Sequence, residues 1–284
     1  MGFESTTKKT QMKKRLLFLF ILSSALGFAQ KCEPKVYRSL SYALQYPDEV
    51  RILDLSEQDL STLDWEIRKL VNLEELNLSH NQLKEIPWEI RYLTQLKKLD
   101  ISHNNLQALP WEIRYLLNLK NLDVSHNDLE ELPWEIRYLE NLNDIDCSHN
   151  NLAEIPWQIR YLAKLRKMDF SQNKLSAVPW EIRYLENLKK VDFSDNNIGQ
   201  IPWQMRYLVS LKDMDFSDNN LTEIPWEIRY LLNLEKLDIS KNEIKSLPWQ
   251  IGDCKALRKL DIRKTHIEVL PFELSKCPYL KILH

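Results

Sequence analysis

The chain has 284 residues, of which 44% are hydrophobic and 28% charged, and its formal net charge is −2. It contains only four glycines, none of them close to another. Phosphate-binding loops, dinucleotide fingerprints and nucleophile elbows need two or more glycines within a few residues, so the common nucleotide-binding and hydrolase motifs are excluded. The near-neutral charge argues against a nucleic-acid binder, which needs a basic face.

The N-terminal segment 1–29 predicts a signal peptide. A basic stretch at 12–15 precedes an apolar run at 16–28, and Ala29 ends a small-residue cleavage site. The run is shorter than the roughly 20 residues that span a bilayer. We therefore expect a start at Met12, cleavage after Ala29, and an exported protein (periplasmic, cell-surface or secreted) without stable membrane insertion. N-myristoylation is the alternative, because residues 1–6 fit that short pattern.

From residue 50 onward the sequence repeats with one period. The step is 23 residues, and 50–279 divide into ten units followed by a partial terminal strand that reaches residue 284. The preceding segment, 30–49, is expected to form an N-terminal cap helix. All nine tryptophans occupy one position of the unit: Trp65, Trp88, Trp111, Trp134, Trp157, Trp180, Trp203, Trp226 and Trp249.

The first half of a unit predicts a strand with one buried face. In the unit at 96–118, apolar and polar residues alternate. Leu99 and Ile101 are expected to point inward, and Asp100 and Ser102 outward. Asn104 follows and is expected to turn its amide inward, where it can bond backbone groups that would otherwise be buried unpaired.

The second half predicts a short helical segment. Pro110 fixes φ where that segment begins, and Ile113 and Leu116 lie three residues apart on its inner face. One unit cannot bury its apolar face alone, whereas ten stacked units share a continuous core. The sequence therefore predicts a solenoid.

The motif L-x-x-L-x-L-x-x-N-x-L followed by L/I-P-x-x-I-x-x-L resembles the leucine-rich repeat family, in particular its 23-residue type in bacterial exported members. Residues 39–56 are similar to the N-terminal cap of such members. The resemblance implies an α/β solenoid, a horseshoe with a parallel concave sheet and short helical or 3-10 convex segments. It also implies a non-enzymatic scaffold that binds another protein.

Nine aspartates share one outward strand position, which we call the aspartate column. Neighbouring strands lie about 4.8 Å apart, so these carboxylates are close enough to repel one another. The column is interpreted as a binding face for a basic partner, as a Ca²⁺ site, or as an ordinary strand whose charge is relieved by water, lysine and serine. The candidate partner-binding residues on the concave face are Asp100, Asp123, Asp146, Asp169, Asp192, Asp215, Asp238, His103, His126, His149, Asp195 and Asp218.

Four histidines in consecutive units form the histidine column: His80, His103, His126 and His149. Stacked imidazoles can bind Zn²⁺ or titrate near neutral pH, but ligands in one straight line make a poor tetrahedron. A solvated surface position is the simpler interpretation. The same position continues as Gln172, Asp195, Asp218 and Lys241, so the face is graded in charge along the array.

The tryptophans predict an aromatic stripe on the convex side. Trp88, Arg91 and Tyr92 have the spacing of neighbours on one helical face, which differs from the face of Ile90. Each indole is expected to pack on the next unit's ring or under an arginine. The stripe is alternatively a platform for glycans or a surface for self-association. The residues of this possible platform are Trp88, Trp111, Trp134, Trp157, Trp180, Trp203 and Trp226.

The cysteines and the chain end add little functional information. Cys254 and Cys277 share one inward position of adjacent units, so a disulfide is conceivable in an oxidising compartment. No catalytic arrangement, cofactor or metal is predicted. The last strand leaves a sheet edge that charged residues blunt or that serves dimerisation. The leading hypothesis is a protein-binding scaffold, and the alternative is a carbohydrate or surface-adhesion module that uses the tryptophan and tyrosine positions.

Overall fold

The computed structural model describes residues 35–284, so the signal peptide predicted at 1–29 lies outside the described residues. Within this range twelve strands form one parallel sheet in chain order, which confirms the predicted solenoid. The strands are β1 (Val36–Tyr37), β2 (Ile52–Asp54), β3 (Glu75–Asn77), β4 (Lys98–Asp100), β5 (Asn121–Asp123), β6 (Asp144–Asp146), β7 (Lys167–Asp169), β8 (Lys190–Asp192), β9 (Asp213–Asp215), β10 (Lys236–Asp238), β11 (Lys259–Asp261) and β12 (Lys281–Leu283).

Neighbouring strands pair at the same position of successive repeats. Lys98 pairs with Asn121, 23 residues further on, and this separation holds from β2 to β11. The last pair differs, because Lys259 pairs with Lys281 at a separation of 22 residues. Identical side chains therefore stack in columns across the sheet, and the final strand lies one residue out of the period.

The inward strand residues form a continuous core along the stack. Leu99 and Ile101 are buried, as expected, and so are their counterparts in every repeat from β2 to β11. Burying one such side chain contributes about 1.5–3 kcal/mol, so the stack gains stability with each unit. Ser102 departs from the prediction: it is buried, because its hydroxyl donates a hydrogen bond to the Asp100 carboxylate at 2.7 Å.

A 3-10 turn follows each strand from β2 to β11. The proline that precedes most of these turns fixes φ near the helical value, as at Pro110 (φ −68°), and the N–H of Ile113 donates to its carbonyl oxygen at 3.1 Å. Ile113 and Leu116 are buried on the inner side, as expected. The turns are Trp65–Lys69, Trp88–Tyr92, Trp111–Tyr115, Trp134–Tyr138, Trp157–Tyr161, Trp180–Tyr184, Trp203–Tyr207, Trp226–Tyr230, Trp249–Asp253 and Phe272–Lys276.

The predicted asparagine ladder is confirmed. The amide of Asn127 donates to the carbonyl oxygens of Ile101, Val124 and Ser125 at 2.9, 3.1 and 3.1 Å, and its Oδ1 accepts from the N–H of Leu106 at 3.0 Å. The same amide donors recur in Asn81, Asn104, Asn150, Asn173, Asn196, Asn219 and Asn242. Each asparagine therefore joins its own repeat to the one before it.

The N-terminal end of the stack departs from the repeat. The segment predicted as a cap helix contains one four-residue helix, α1 (Leu40–Ala43), and the edge strand β1, which the sequence analysis did not predict. Ala43 of α1 lies in the core. In the first repeat Asp64 replaces proline and caps its turn by accepting from the N–H of Glu66 at 2.9 Å.

The C-terminal end leaves apolar surface exposed. Val269, Phe272 and Tyr279 are 77%, 83% and 76% exposed. Gly252 allows the last turn to approach the preceding turn, Trp249–Asp253, closely, because a Cβ on Gly252 would lie 2.4 Å from the carbonyl oxygen of Glu273. Dimerisation through this end stays a prediction. In the described range, the turns and α1 are all too short to cross a membrane.

Candidate functional site

An open groove lies on the solvent-facing side of the sheet, the face predicted to be concave. It has a volume of about 370 Å³ and crosses β4 to β8. Five aspartates and three lysines supply its charge: Asp100, Asp123, Asp144, Asp146, Asp169, Lys98, Lys167 and Lys190. Four of the predicted binding residues thus line one cavity. Asp192, Asp215 and Asp238 continue the aspartate column beyond it, since they pair in register with one another.

Each aspartate of the column uses one carboxylate oxygen to hold its own turn. Oδ1 of Asp146 accepts from the N–H and the hydroxyl of Ser148 at 3.0 and 2.7 Å. This pair of bonds recurs in every repeat that has the Asp-x-Ser sequence. In the one repeat with asparagine, Oδ1 of Asn77 accepts from the N–H of Ser79 at 2.9 Å. Part of the column is therefore structural, and Oδ2 is the oxygen left to face a ligand.

The carboxylates of the column affect one another's charge. Burial raises the pKa of Asp215 to about 6. The hydrogen bonds from Ser217 lower this pKa, whereas the charges of Asp192 and Asp238 raise it further. Burial also raises the pKa of Asp123. A cation that bound the column would be attracted more strongly as these groups ionise.

Lysines and amides of the sheet relieve some of this repulsion. The Nζ of Lys190 lies 3.7 Å from Oδ2 of Asp192. Two further aspartates stand beside the column: Asp144 accepts from the amide of Asn121 at 2.7 Å, and Asp213 pairs with Lys236 at 3.1 Å. The charges on this face are consequently mixed rather than purely acidic.

The sequence analysis missed a basic edge at the start of the strands. Arg166, Lys167 and Lys189 are exposed on consecutive repeats, and in the described part of the chain none has a carboxylate within ion-pair distance. The signal was present in the sequence at the position immediately before a strand, which is basic in six repeats: Lys97, Lys120, Arg166, Lys189, Lys212 and Arg258. The face therefore carries free cations along one edge and carboxylates along the other.

The histidine column borders the carboxylate edge of the groove. The rings are stacked nearly parallel, with centroid distances of 4.1, 4.0 and 3.8 Å from His80 to His149. All four residues have positive φ, between 52° and 55°. Burial, together with the neighbouring rings of His149 and His103, lowers the pKa of His126. Among residues 35–284, no three His, Cys, Asp or Glu side chains are grouped to hold a metal.

The aromatic stripe lies on the opposite, turn-bearing side. The nine indoles are 44–50% exposed. The guanidinium carbon of Arg91 lies 4.4 Å from the ring centroid of Trp88 and 4.9 Å from that of Tyr92, and its Nη2 donates to the tyrosine hydroxyl at 3.0 Å. The expected arginine cover is thus present from Trp65 to Trp203. From Trp88 to Trp203 the tyrosine that completes the set comes from the same repeat.

The conceivable disulfide is absent from the structure. Cys147, Cys254 and Cys277 are free and buried. The Sγ of Cys277 instead contacts the backbone carbonyl of Cys254 at 3.5 Å. The two side chains share a column, and the thiol of Cys254 donates to the carbonyl oxygen of Ile228 at 3.1 Å. Burial raises the pKa of Cys254 to about 12, which keeps this thiol protonated and unreactive.

Comparisons with known proteins agree with this architecture. The sequence profile for "Leucine Rich repeats (2 copies)" matches residues 71–112, and that for "Leucine rich repeat" matches 94–152 and 209–267. No curated protein matches the chain. A leucine-rich repeat protein of Leptospira interrogans is similar in structure, with 27% identity and a TM-score of 0.51 over 88% of this chain and 87% of that one.

Two receptors have similar structures. The plant peptide hormone receptor RGFR1, solved in complex with RGF2, shares 28% identity and a TM-score of 0.63 over 78% of this chain and 41% of its own. A TDR receptor shares 28% identity and a TM-score of 0.69 over 88% of this chain and 50% of its own. The chain therefore spans half or less of each receptor. The repeats, the parallel sheet and the sequence profiles together show that the chain belongs to the leucine-rich repeat family.

Proposed function

We propose that the chain is a non-enzymatic scaffold that binds a protein through the groove of its concave face. One observation carries the proposal: the groove presents a row of carboxylates of the aspartate column on one side and lysines on the other. Of these lysines, Lys98 and Lys167 have no carboxylate within ion-pair distance in the described residues, and Lys190 lies 3.7 Å from Asp192. Such a face recognises a partner by complementary charge, which favours specificity and fast association. The similarity to a peptide hormone receptor supports binding as the activity, while the partner of that receptor says nothing about the partner here.

The chemistry of the face suggests an extended basic segment as the bound part. The Oδ2 atoms of Asp146 and Asp169 lie on adjacent strands that pair in register. Lysine or arginine side chains spaced along an extended strand can meet such a row. Acidic or neutral groups of the partner would then lie toward Lys167 and Lys190, which line the other side of the groove.

Export is a second part of the proposal. It is supported by the basic stretch and apolar run of the N-terminal sequence alone. In this proposal the partner is met in the periplasm, at the cell surface or outside the cell. N-terminal sequencing of the protein recovered from the envelope and the medium would identify Gln30 as the first residue if cleavage follows Ala29.

The binding proposal is tested with a variant that removes charge but keeps the turn. Asp146→Asn, Asp169→Asn and Asp192→Asn preserve Oδ1 as an acceptor, as Asn77 shows. The matched control removes the same number of negative charges from three exposed glutamates outside the sheet: Glu130→Gln, Glu140→Gln and Glu186→Gln. Wild type and both variants are used as bait for envelope and secreted proteins of the source organism.

A partner of the concave face is captured by the wild type and the control, and its capture by the Asp variant is reduced by about threefold to 150-fold. This magnitude follows from about 0.2–1 kcal/mol for each exposed charge pair. Equal capture by all three baits contradicts the proposal. Circular dichroism and thermal unfolding establish that the variants are folded.

A carbohydrate or adhesion module is the second candidate function. The half-exposed indoles favour it, because a long exposed aromatic stripe usually marks a binding surface. Binding of an oligosaccharide would alter tryptophan fluorescence, whereas an unchanged spectrum with every sugar tested would contradict this candidate.

A further inference from the structure

A second groove lies on the turn-bearing side of the molecule, away from the sheet. It has a volume of about 600 Å³ and is bounded by the Pro-Trp pairs of adjacent repeats, including Trp203 and Trp226. Its polar lining consists of two amides and two carboxylates, those of Gln200, Gln204, Glu223 and Glu227. The groove therefore combines aromatic walls with hydrogen-bonding groups, which is the composition of a small-ligand site.

Trp226 differs from the other tryptophans of the stripe in its arginine. From Trp65 to Trp203 each ring has the arginine of its own repeat over it, at 4.4–5.6 Å from the centroid. Arg229 instead forms an ion pair with Asp253, with Nη2 2.9 Å from Oδ2, and lies over Trp249 at 5.6 Å from the ring centroid. The cause is local: Asp253 stands where the preceding repeats have tyrosine, and its carboxylate attracts the guanidinium.

This displacement changes what lies over the Trp226 ring and not how exposed the ring is: no arginine lies over it in the described residues, while all nine indoles are 44–50% exposed. The ring is 46% exposed and borders the groove. The neighbouring Trp203 has its own arginine, Arg206, at 4.7 Å. Of the two tryptophans that line this groove, Trp203 is therefore covered by the arginine of its own repeat and Trp226 is not.

The charges around the groove select against ionic ligands. The carboxylates of Glu223 and Glu227 line it and repel anions. The guanidinium of Arg206 lies over Trp203, one of the walls of the groove, and disfavours a further cation beside it. A neutral ligand rich in hydroxyl groups complements both, because it can donate to the carboxylates and exchange hydrogen bonds with the amides.

We propose that this groove, which we call the Trp226 groove, binds a neutral oligosaccharide. The apolar face of a pyranose ring stacks on the exposed indole of Trp226. Its hydroxyl groups bond the side chains of Gln204 and Glu227, and the prolines provide apolar contact. The proposal rests on the second candidate function and assigns it to one place in the array; it is independent of the protein-binding concave face.

The test uses the full chain and a defined set of probes. Binding is measured by calorimetry and tryptophan fluorescence with the neutral hexaoses of glucose, xylose, mannose and N-acetylglucosamine. Hexagalacturonate and hexalysine serve as the anionic and cationic probes. The variants are Trp226→Ala and the matched Trp88→Ala, which removes an arginine-covered ring of the same stripe.

A third variant keeps Trp226 and changes only its cover. Asp253→Tyr restores the residue that the preceding repeats have and removes the carboxylate that holds Arg229. The guanidinium of Arg229 is then expected to lie over Trp226, as that of Arg91 lies over Trp88. Because tyrosine is the residue of the preceding repeats, we expect this variant to fold. A loss of binding in it therefore reports on the site and not on unfolding.

The proposal predicts that at least one neutral hexaose binds and that the charged probes bind at least tenfold more weakly. Trp226→Ala reduces that affinity tenfold or more and Asp253→Tyr reduces it severalfold, while Trp88→Ala leaves it unchanged. Neutral binding that Trp226→Ala does not reduce overturns the site and leaves the second candidate function standing. No neutral binding overturns both, and stronger binding of either charged probe overturns the assigned ligand class.

Discussion

At the residue scale, the aspartate of each strand divides its two oxygens between structure and surface. Oδ1 of Asp215 accepts two hydrogen bonds from Ser217, at 2.9 and 2.7 Å. The remaining charge is partly buried between the equivalent groups of the adjacent strands. Burial and these neighbours give Asp215 a pKa of about 6, above its ordinary value of 3.8. The ionised form therefore costs stability in the folded protein.

The pH dependence of stability follows from this pKa. Because the folded-state pKa is raised, the stabilising effect of protonating Asp215 is complete below about pH 4 and is lost as pH rises through 6. Asp215→Asn keeps the acceptor and removes the charge. We expect it to be more stable than wild type by on the order of 1–2 kcal/mol at about pH 7.5, and to lose this advantage near pH 4. Urea unfolding at both pH values measures the difference, and a pH-independent difference contradicts the account.

The histidine column makes a prediction of the opposite sign. Burial and two adjacent imidazoles lower the pKa of His126 from its ordinary 6.5, so its contribution to stability is lost as pH falls. The double variant His103→Gln, His149→Gln replaces both neighbours with glutamine, the residue that occupies the same repeat position at Gln172. We expect the pKa of His126 to rise toward 6.5 in this variant, because the neighbouring charges are removed. NMR titration of the ring proton measures it, and an unchanged value would mean that burial alone sets the shift.

At the element scale, the buried asparagine links each repeat to the next. Asn150 donates to three carbonyl oxygens, of Val124, Cys147 and Ser148, and accepts from Leu129. Alanine would leave the N–H of Leu129 without an acceptor, at a cost of about 1–3 kcal/mol for an unsatisfied buried group. Each carbonyl oxygen would lose one bond but keep another donor, in Asn127, Asn173 and the N–H of His126 respectively. We expect Asn150→Ala to lower the free energy of unfolding by about 2–4 kcal/mol.

The adjacent Asn151 provides the control for that variant. It is half-buried, and Asn151→Ala should change the free energy of unfolding by less than about 0.5 kcal/mol, as other surface substitutions do. Chemical denaturation measures both variants. Similar losses in the two would show that the ladder does not hold the repeats together.

The last turn depends on a glycine. A Cβ on Gly252 would lie 2.4 Å from the carbonyl oxygen of Glu273, whereas a Cβ on Gly199 meets nothing within 4 Å. Gly252→Ala should therefore destabilise the terminal repeat by about 1–3 kcal/mol, and Gly199→Ala should not. Hydrogen exchange localises the effect: faster exchange is expected for the amides of the last repeat, and equal exchange in both variants would contradict the close approach.

These elements show which features a repeating sequence predicts. The position of Leu99 in the core and the inward turn of Asn104 followed from alternation and polarity within one unit, and both are observed. The edge strand β1 did not follow, because two residues are too few for a period to be recognised. The burial of Ser102 was missed because its small hydroxyl bonds the aspartate of its own turn.

Differences between nearly identical repeats were harder to predict than the repeat itself. The displacement of Arg229 depends on a single exchange of tyrosine for Asp253 and becomes visible only as a contact. The basic edge of the sheet was overlooked for another reason: its column lies just before the strand, where the alternation of inward and outward residues gives no assignment. Candidate sites in a solenoid therefore require the contacts of each unit in addition to the period.

At the scale of the whole molecule, the stack presents two different surfaces. The sheet carries the aspartate column in one row and, at the start of the strands, a row of lysines that Asp144 and Asp213 interrupt. The opposite side carries the aromatic stripe. Because each repeat adds one residue to every row, the array length sets how much of a partner each surface can contact. A protein partner fits the charged face, and a neutral sugar fits the aromatic side.

The most direct measurement of the central claim is site-specific photo-crosslinking in the native compartment. A photoreactive residue replaces Asn121, which lines the groove, or Gln107, which is exposed outside the sheet. The account predicts that a protein is crosslinked from position 121 but not from 107, and that the product is lost when Asp146, Asp169 and Asp192 are changed to asparagine. Equal crosslinking from both positions, or a product that survives the loss of those charges, would contradict binding through the concave face.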